Sequence, residues 1–266
     1  MILTLSSVST VFQNTLGSYL FASLSNGTMV VYHANPMSSP EDWACQATID
    51  IGGNTNLLLP VRNGKEMWVS CDNSLRVVDT TDFTLTPGII SVDGSQQCVT
   101  CIEGQGDKVW CSMKSSSCVY EYSTRGRELV RVIRCQSNDE EIINEMNECQ
   151  SGNKEIVQEV TALLVVKDAL WIGKNTGSIL VIGIENAEVP DQESEISAVG
   201  VLEVNRIIGK PRGEVTQLRR VGKDRVVACI VYQHDEGHDM RGYLAIWDSW
   251  GLADFQRFEH FKNARC

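Results

Sequence analysis

The apolar and polar residues of the chain alternate in short blocks that predict β-hairpins. In the stretch ALWIGKNTGSILVIGIE, from Ala169 to Glu185, an apolar run with Trp171 meets a polar turn, and a second apolar run follows from Ile179 to Ile184. Short apolar runs separated by turn-forming residues are typical of antiparallel strands. Asn138–Gln150 is the one stretch with apolar residues at helical spacing, and we expect it in a connection between strand units.

The hairpin pattern recurs along the chain, which predicts a repeat architecture. The copies run over Tyr19–Tyr32, Glu66–Asp79, Lys108–Tyr122, Ala169–Glu185 and Arg225–Asp248. Trp68, Trp110 and Trp171 hold one equivalent place in three of them. An apolar residue stands eleven positions before each of these tryptophans and before Val226. These upstream residues are Leu57, Val99, Val160 and Val215, and a Thr follows the last three. The fixed interval predicts a three-strand unit with a constant turn.

A fourth, weaker strand completes the units and indicates the fold class. Four short antiparallel strands in about 40 to 60 residues are typical of a β-propeller blade. We predict an all-β, WD-type β-propeller of four-stranded antiparallel blades in a single domain over residues 1–266, with a β-sandwich as the alternative. The predicted blades cover residues 8–51, 55–91, 97–135, 158–208 and 214–261. About five blades are visible, so the chain either closes with five or is part of a truncated seven-bladed array.

The charge and hydropathy of the chain narrow the class of partners. Its 34 acidic and 23 basic residues give a net charge of −11. Nonspecific nucleic-acid binding depends on Lys and Arg side chains that neutralise phosphates. We therefore expect protein partners and no nucleic acid. We also expect no transmembrane segment, because no apolar run approaches the roughly 18 residues that span a bilayer.

The ten cysteines of the chain do not indicate a disulfide framework. Cys71, Cys111 and Cys118 lie in strand-like runs, where a free thiol packs as a small apolar group. Residues 1–10 lack a basic region before an apolar run, so we expect no signal peptide. A reducing, cytoplasmic environment follows from that expectation. Asn26-Gly27-Thr28 is then predicted to be a hairpin turn and not a glycosylation site.

The stretch CVTC, from Cys98 to Cys101, has the spacing of some zinc and redox sites. Residues three apart on a strand point to opposite faces of the sheet, which keeps the two sulfur atoms apart. The chain also lacks a second pair of cysteines with this spacing. We therefore predict that Cys98 and Cys101 pack in the core, with no bound metal and no disulfide.

The stretch HDEGHD, His234–Asp239, is the one cluster that resembles a metal site. Its two His and three carboxylates are donors that zinc or calcium accepts, but its place in an enlarged turn favours a polar loop. The phosphate-binding, kinase and serine-hydrolase motifs are absent. We predict no catalytic, cofactor-binding or metal-binding residue and no enzymatic activity. A propeller enzyme with a site in its central channel is the alternative class.

Charged residues between the predicted strands are candidates for partner contacts. Four cations lie in predicted turns, where they are either solvated or positioned for docking. They are Arg125, Arg127, Lys210 and Arg212. Two acidic stretches, Asn138–Glu148 and Glu185–Glu195, are expected to be exposed linkers, with regulatory loops as the alternative.

Several of these stretches resemble a known family. EVTALLVVKDALWIGKNTGSILVIGIE, Glu159–Glu185, resembles the penultimate-blade signature of the C-terminal WD-repeat propeller in leucine-rich-repeat kinases, the Roco proteins. MWVSCDNSLRVVD, Met67–Asp79, resembles the matching hairpin two blades earlier, and Gly242–Phe261 resembles the final strand and its exit. The similarity covers roughly Tyr19 to Phe261. Lys174 differs from that family, which usually has Thr there, and we expect it in a turn that leaves the fold unchanged.

The resemblance implies a non-catalytic module. In that family the kinase and GTPase domains lie upstream, and the propeller packs on the kinase, supports self-association and offers surfaces to cytoskeletal or vesicle-associated partners. The chain would then be the C-terminal piece of a longer cytoplasmic protein, associated with membranes or cytoskeleton through its partners. RhoGEF proteins and JNK-interacting motor scaffolds carry related propellers and are the alternative. Trp43 between two blades resembles those relatives, whereas Ile246-Trp247-Asp248 resembles the kinase branch.

Overall fold

The fold of the chain is described by a computed structural model. It describes residues 5–14, 17–34, 37–92, 97–135, 158–184, 200–203, 213–223, 225–233, 240–248 and 259–264. Within these ranges the regular elements are β-strands and two short 3-10 turns, Pro40–Asp42 and Arg62–Gly64. The strands contain the β-branched and aromatic residues that favour extended backbone.

The first sheet contains four antiparallel strands in chain order. They are β1 (Leu5–Asn14), β2 (Gly17–Leu24), β3 (Thr28–His33) and β4 (Ala44–Asp50). Asn26 and Gly27 form the turn between β2 and β3, as the sequence predicts. Gly27 has a φ of +82°, and a Cβ atom there would lie 2.6 Å from the carbonyl oxygen of Gly53. Only glycine fits this close approach of two backbones.

The second sheet differs from the predicted four strands because its outer edge is divided. Its strands are β5 (Leu58–Val61), β6 (Glu66–Cys71), β7 (Ser74–Asp79), β8 (Thr84–Leu85) and β9 (Ile90–Ser91). Both β8 and β9 pair with β7. Pro87 and Gly88, with a φ of +103° at Gly88, lie between the two short strands. Proline removes a ladder donor and glycine turns the backbone, so the edge cannot continue as one strand.

The remaining three sheets each contain four strands in chain order. The third sheet has β10 (Val99–Gln105), β11 (Lys108–Met113), β12 (Cys118–Ser123) and β13 (Leu129–Arg134). The fourth has β14 (Val160–Val166), β15 (Ala169–Lys174), β16 (Ser178–Gly183) and β17 (Gly200–Glu203). The fifth has β18 (Glu214–Val221), β19 (Arg225–Gln233), β20 (Met240–Asp248) and β21 (Glu259–Ala264).

The chain divides into two compact units, each with its own apolar core. The first unit comprises Met1–Lys114 and Tyr120–Val130, and the second comprises Ser115–Val119 and Arg131–Cys266. The core of the first includes Phe21, Met29, Val31, Met67 and Val78. The core of the second includes Leu164, Trp171, Val181, Val226 and Trp247. The prediction of a single domain over residues 1–266 stays a prediction.

The predicted equivalence of three tryptophans is confirmed. Trp68, Trp110 and Trp171 are each the third residue of the second strand of a sheet, in β6, β11 and β15. All three side chains are buried. A large aromatic ring at one repeated place fills the space over each sheet, which is why the pattern is visible in the sequence.

The Val-Thr pairs of the sequence mark β-bulges. The register between the first two strands shifts at Thr100, Thr161 and Thr216 in the third, fourth and fifth sheets. Each Thr hydroxyl donates to a carbonyl oxygen of the second strand. The acceptors are Ser112, Gly173 and Cys229, at 3.4, 3.2 and 3.2 Å. A hydroxyl thus binds at the point where the bulge interrupts the backbone ladder.

The eleven-residue interval before Trp68 has a different origin. Leu59 pairs with Trp68, and Val61 pairs with Glu66, so four residues form the loop between β5 and β6. Only two residues form the corresponding loop of the third sheet, where Gln105 pairs with Lys108. The longer loop of the second sheet is where the candidate site lies.

Candidate interaction cleft

The loop between β5 and β6 has an unusual backbone. Arg62, Asn63 and Gly64 are all left-handed, with φ values of 53°, 54° and 78°. Glycine adopts this conformation freely and Asn tolerates it, whereas for Arg62 it is uncommon. Such a backbone conformation costs on the order of 1–3 kcal/mol, and it persists only when neighbouring contacts hold it. Thr80 donates from its hydroxyl to the Gly64 carbonyl and from its backbone N–H to the Lys65 carbonyl. The Arg62 side chain is held by Glu66.

Glu66 is a carboxylate enclosed by three hydrogen-bond donors. Its side chain is 8% exposed at the start of β6. Oε1 accepts from Arg62 Nη1 at 3.0 Å and from Arg127 Nη2 at 3.2 Å. Oε2 accepts from Trp68 Nε1 at 3.3 Å. One anion therefore binds two guanidinium groups, and the trio of Glu66, Arg62 and Arg127 carries a net positive charge.

Arg127 reaches this site from the turn between β12 and β13. It is itself left-handed, with a φ of 54°, and its backbone N–H donates to the Ser123 carbonyl at 2.9 Å. Its side chain is 30% exposed. The sequence predicted that Arg127 is either solvated or positioned for docking. Its side chain instead contacts Glu66, which lies 61 positions earlier in the sequence, so it also has a structural role. Arg125 is 77% exposed and pairs with Asp107 at 2.6 Å.

A cleft of about 510 Å³ lies between two hairpin loops of the first unit. Residues 60–65 line one side and residues 104–107 line the other. Gly106, in the second loop, has a φ of +60° and open space where a Cβ atom would be. Lys65 is exposed at the rim, and Arg125 binds the lining residue Asp107. The cleft is therefore polar and bordered by cations.

The third sheet contains a second buried carboxylate beside a repeated tryptophan. Glu121 pairs with Trp110 across β11 and β12, and its side chain is 1% exposed. It accepts from Trp110 Nε1 at 2.9 Å and pairs with Lys108 Nζ at 3.0 Å. Neither Glu66 nor Glu121 was predicted from the sequence. A glutamate inside an apolar strand with a repeated Trp is the signal that could have identified them.

Lys174 corrects one expectation from the sequence. It does not lie in a turn but is the last residue of β15, and it is only 2% exposed. Its Nζ donates to Gln158 Oε1 at 3.2 Å. A buried ammonium group needs hydrogen-bond partners, so this position is part of the packed interior of the second unit.

Cys111 and Cys135, in and directly after the strands of the third sheet, have buried thiols. Burial raises the pKa of Cys135 to about 12, although the nearby Lys174 charge opposes this shift. Burial also raises the pKa of Cys111, with a further contribution from Cys101. A thiol with a raised pKa is a poor nucleophile, because the thiolate is the reactive form. These side chains are therefore unsuited to cysteine catalysis.

The geometry behind the CVTC expectation is only partly correct. Cys101 is buried inside β10, but Cys98 precedes the strand and is half-buried. The bulge at Thr100 also interrupts the strict alternation of faces. Both cysteines carry free thiols. Cys98 and Cys101 therefore do not share an uninterrupted strand, and the absence of metal binding stays a prediction.

Several predicted features lie outside the described residues. They are His234–Asp239, Lys210, Arg212, the helical candidate Asn138–Gln150 and the acidic stretches Asn138–Glu148 and Glu185–Glu195. Among the residues that the structure does describe, no group of three or more His, Cys, Asp or Glu side chains could hold a metal ion. Nor does the described part contain a helix with the length and hydropathy needed to cross a bilayer.

Comparisons with known proteins agree on the fold. A family model described as the LRRK2 beta propeller matches residues 1–196. The WD40 domain of Pan2 from Neurospora crassa superposes with a TM-score of 0.57 at 10% identity, covering 92% of this chain and 62% of that one. The prediction of an all-β, WD-type propeller with about five blades is confirmed.

Two longer curated proteins contain segments similar to this chain. Rho guanine nucleotide exchange factor 17 of Homo sapiens is 24% identical over 188 residues, which are 70% of the chain. Leucine-rich repeat serine/threonine-protein kinase 1 of Mus musculus is 29% identical over 100 residues, which are 38% of the chain. The matched segments span 9% and 4% of those two proteins.

Proposed function

Because the chain belongs to the family of LRRK2 beta propellers, we propose that it is a non-catalytic interaction and scaffolding module of a leucine-rich-repeat, Roco-type kinase. In this role it packs on the kinase domain of its parent protein and supports self-association. It also offers loops to cytoskeletal or vesicle-associated proteins in the cytoplasm. Rigid sheets that display variable loops are suited to such binding.

The proposal is supported chiefly by the ordered loop of residues 62–65, which directly precedes Glu66. Two arginines from different sheets bind this one carboxylate, and the loop backbone is held in a conformation that it would not adopt unsupported. Binding requires a few well-placed anchor residues on a rigid frame. Catalysis requires titratable or metal-binding groups that converge in a pocket, and the described cleft instead has cations at its border.

The test combines an association measurement with an activity measurement. The purified chain is mixed with the kinase–GTPase portion of its parent protein, and complex formation is followed by size-exclusion chromatography. ATP and GTP hydrolysis and phosphoryl transfer are measured for the chain alone. The proposal predicts a complex and no turnover by the chain. Turnover that disappears in His234→Ala would contradict it.

A propeller of a Rho guanine nucleotide exchange factor is the second candidate. The match to exchange factor 17 covers 70% of the chain, more than the 38% matched by the kinase. The coding sequence that adjoins residue 1 in the transcript distinguishes the two candidates. A kinase domain there supports the first proposal, whereas a Dbl-type exchange domain supports the second.

A further inference from the structure

We propose that the cleft between residues 60–65 and residues 104–107 binds a short acidic peptide segment of a protein partner. This inference rests on the proposed interaction function and names the chemistry of one binding site within it. The volume of the cleft, about 510 Å³, lies within the ~300–1,000 Å³ that is typical of ligand sites. A few acidic side chains can therefore enter it.

The charged groups around the cleft include more cations than anions. The cations around the cleft are Arg62, Lys65, Arg125 and Arg127. Two of these cations pair with Glu66 and one pairs with Asp107, and Arg127 also interacts electrostatically with Asp79. Four positive groups thus face three negative ones, and a small net positive charge remains among them. This local excess contrasts with the −11 of the whole chain, so the cleft attracts anionic groups that the rest of the surface repels.

Two arginines at the cleft, Arg62 and Arg125, retain accessible hydrogen-bond donors. Glu66 is 8% exposed and its oxygens accept from three donors, so it presents little surface that would repel an anionic ligand. Arg62 is 44% exposed and Arg125 is 77% exposed. A guanidinium has five N–H donors, and each of these arginines uses only part of its set in its ion pair. The outward donors match the two oxygens of a carboxylate.

The loop of residues 62–65 is already ordered before a ligand binds. Arg62, Asn63 and Gly64 are fixed in left-handed conformations, and the Lys65 carbonyl accepts from the Thr80 N–H at 3.0 Å. A loop that is already ordered loses little conformational entropy when a ligand binds. Strained non-glycine residues are commonly retained at functional sites. The strain at Arg62 therefore has an explanation if its guanidinium must face both Glu66 and a ligand.

The size and charge of the site favour a peptide over nucleic acid. A nucleic acid strand presents many phosphates, and its binding depends on an extended track of Lys and Arg. The cleft offers four cations on a chain with a net charge of −11. Longer polyanions would meet repulsion beyond the cleft, whereas a short acidic segment would not.

The experiment uses fluorescence anisotropy with the complete chain at about 50 mM salt, where charge interactions are weakly screened. The probe is a short fluorescein-labelled peptide in which Glu alternates with Ser, and the control peptide has Gln in place of Glu. Lys65→Glu and Arg125→Glu are combined to reverse the charge at the cleft. Lys114→Glu is the matched control, because it is an exposed Lys beyond the far end of β11 from the cleft.

The double variant is expected to bind the Glu peptide at least about tenfold more weakly than the unmodified chain. A tenfold change corresponds to only ~1.4 kcal/mol of binding free energy. Lys114→Glu should bind like the unmodified chain, and the Gln peptide should not bind. Circular dichroism confirms that each variant is folded.

The proposal is overturned if no Glu peptide binds at about 1 mM, if both variants lose binding equally, or if a single-stranded oligonucleotide binds as tightly as the peptide. If the unmodified chain forms the kinase–GTPase complex but does not bind the Glu peptide, this inference alone is overturned. If the unmodified chain binds the peptide but forms no complex, the proposed function alone is overturned.

Discussion

The carboxylate of Glu66 binds the guanidinium of Arg127 at 3.2 Å, although the two residues are 61 positions apart in the sequence. This contact connects the start of β6 to the turn after β12. With Arg62 on the same oxygen, it fixes the loop that borders the cleft. Asn63 and Gly64 adopt left-handed backbone readily, so the contacts with Glu66 are needed to account for the uncommon conformation at Arg62.

Replacement of Glu66 should destabilise the first unit. Glu66→Gln removes the negative charge that two arginines share, and it leaves their guanidinium groups close together. Because Arg62 is 44% exposed, water screens part of the loss, and we expect the free energy of unfolding to fall by about 1–3 kcal/mol. Urea unfolding measures the change. Glu128→Gln, at the exposed position that follows Arg127 in the turn after β12, is the control. An equal effect of both variants would contradict the account.

The position of Gly173 predicts a steric conflict. A Cβ atom there would lie 2.5 Å from Val215 Cγ1 and 2.9 Å from Val215 Cβ, so Gly173→Ala should destabilise by about 1–3 kcal/mol. Val215→Ala removes Cγ1, and the double variant should lose less stability than the sum of the two single variants. Thermal unfolding of all four proteins completes the cycle. Strict additivity would show that the two positions do not compete for space.

The threonines at the bulges should differ in their contributions to stability. Thr161 Oγ1 lies 3.2 Å from the Gly173 carbonyl oxygen and 2.6 Å from that of Val215. Thr100 Oγ1 lies 3.4 Å from the Ser112 carbonyl oxygen. We expect Thr161→Val to reduce the free energy of unfolding by about 1–2 kcal/mol and Thr100→Val by less. Denaturant titration ranks the two variants, and a larger loss for Thr100→Val would be inconsistent with these contacts.

Alkaline pH should weaken the fold through its buried thiols. The pKa of Cys135 is about 12 in the folded chain, whereas an unfolded thiol titrates near ~8.5. The unfolded chain therefore releases protons first, and the contribution of Cys135 to stability is complete below about pH 8.5 and is lost as pH rises toward 12. Unfolding at several pH values should show a shallower alkaline decline for Cys135→Ala than for Cys45→Ala, whose thiol is exposed. Identical slopes for the two variants would count against this assignment.

The sheets could be predicted from the sequence because their signals are local. Each hairpin places its apolar runs and turn residues within about twenty positions, and Trp68, Trp110 and Trp171 mark equivalent strand positions. The order of strands follows the chain in four of the described sheets, and in the second sheet β9 departs from it by pairing with β7. Local patterning and chain order together were therefore sufficient for the fold class.

The candidate site could not be predicted in the same way. Glu66 and Arg127 are brought together only when two sheets pack, and no spacing in the sequence encodes that contact. The prediction that Lys174 lies in a turn was wrong. A single charged residue between an apolar run and Asn175-Thr176-Gly177 has the pattern of the first residue of a turn. The structure extends β15 by one residue and buries that side chain. Tertiary burial overrides residue preference at such boundaries.

The central claim, that this chain is an interaction module of a larger kinase, is tested most directly by sedimentation velocity of the chain mixed with the kinase–GTPase portion of its parent. The account predicts a faster-sedimenting complex at micromolar concentrations, which also forms with Lys114→Glu. Independent sedimentation of the two components at every concentration, with both shown to be folded, would contradict the claim.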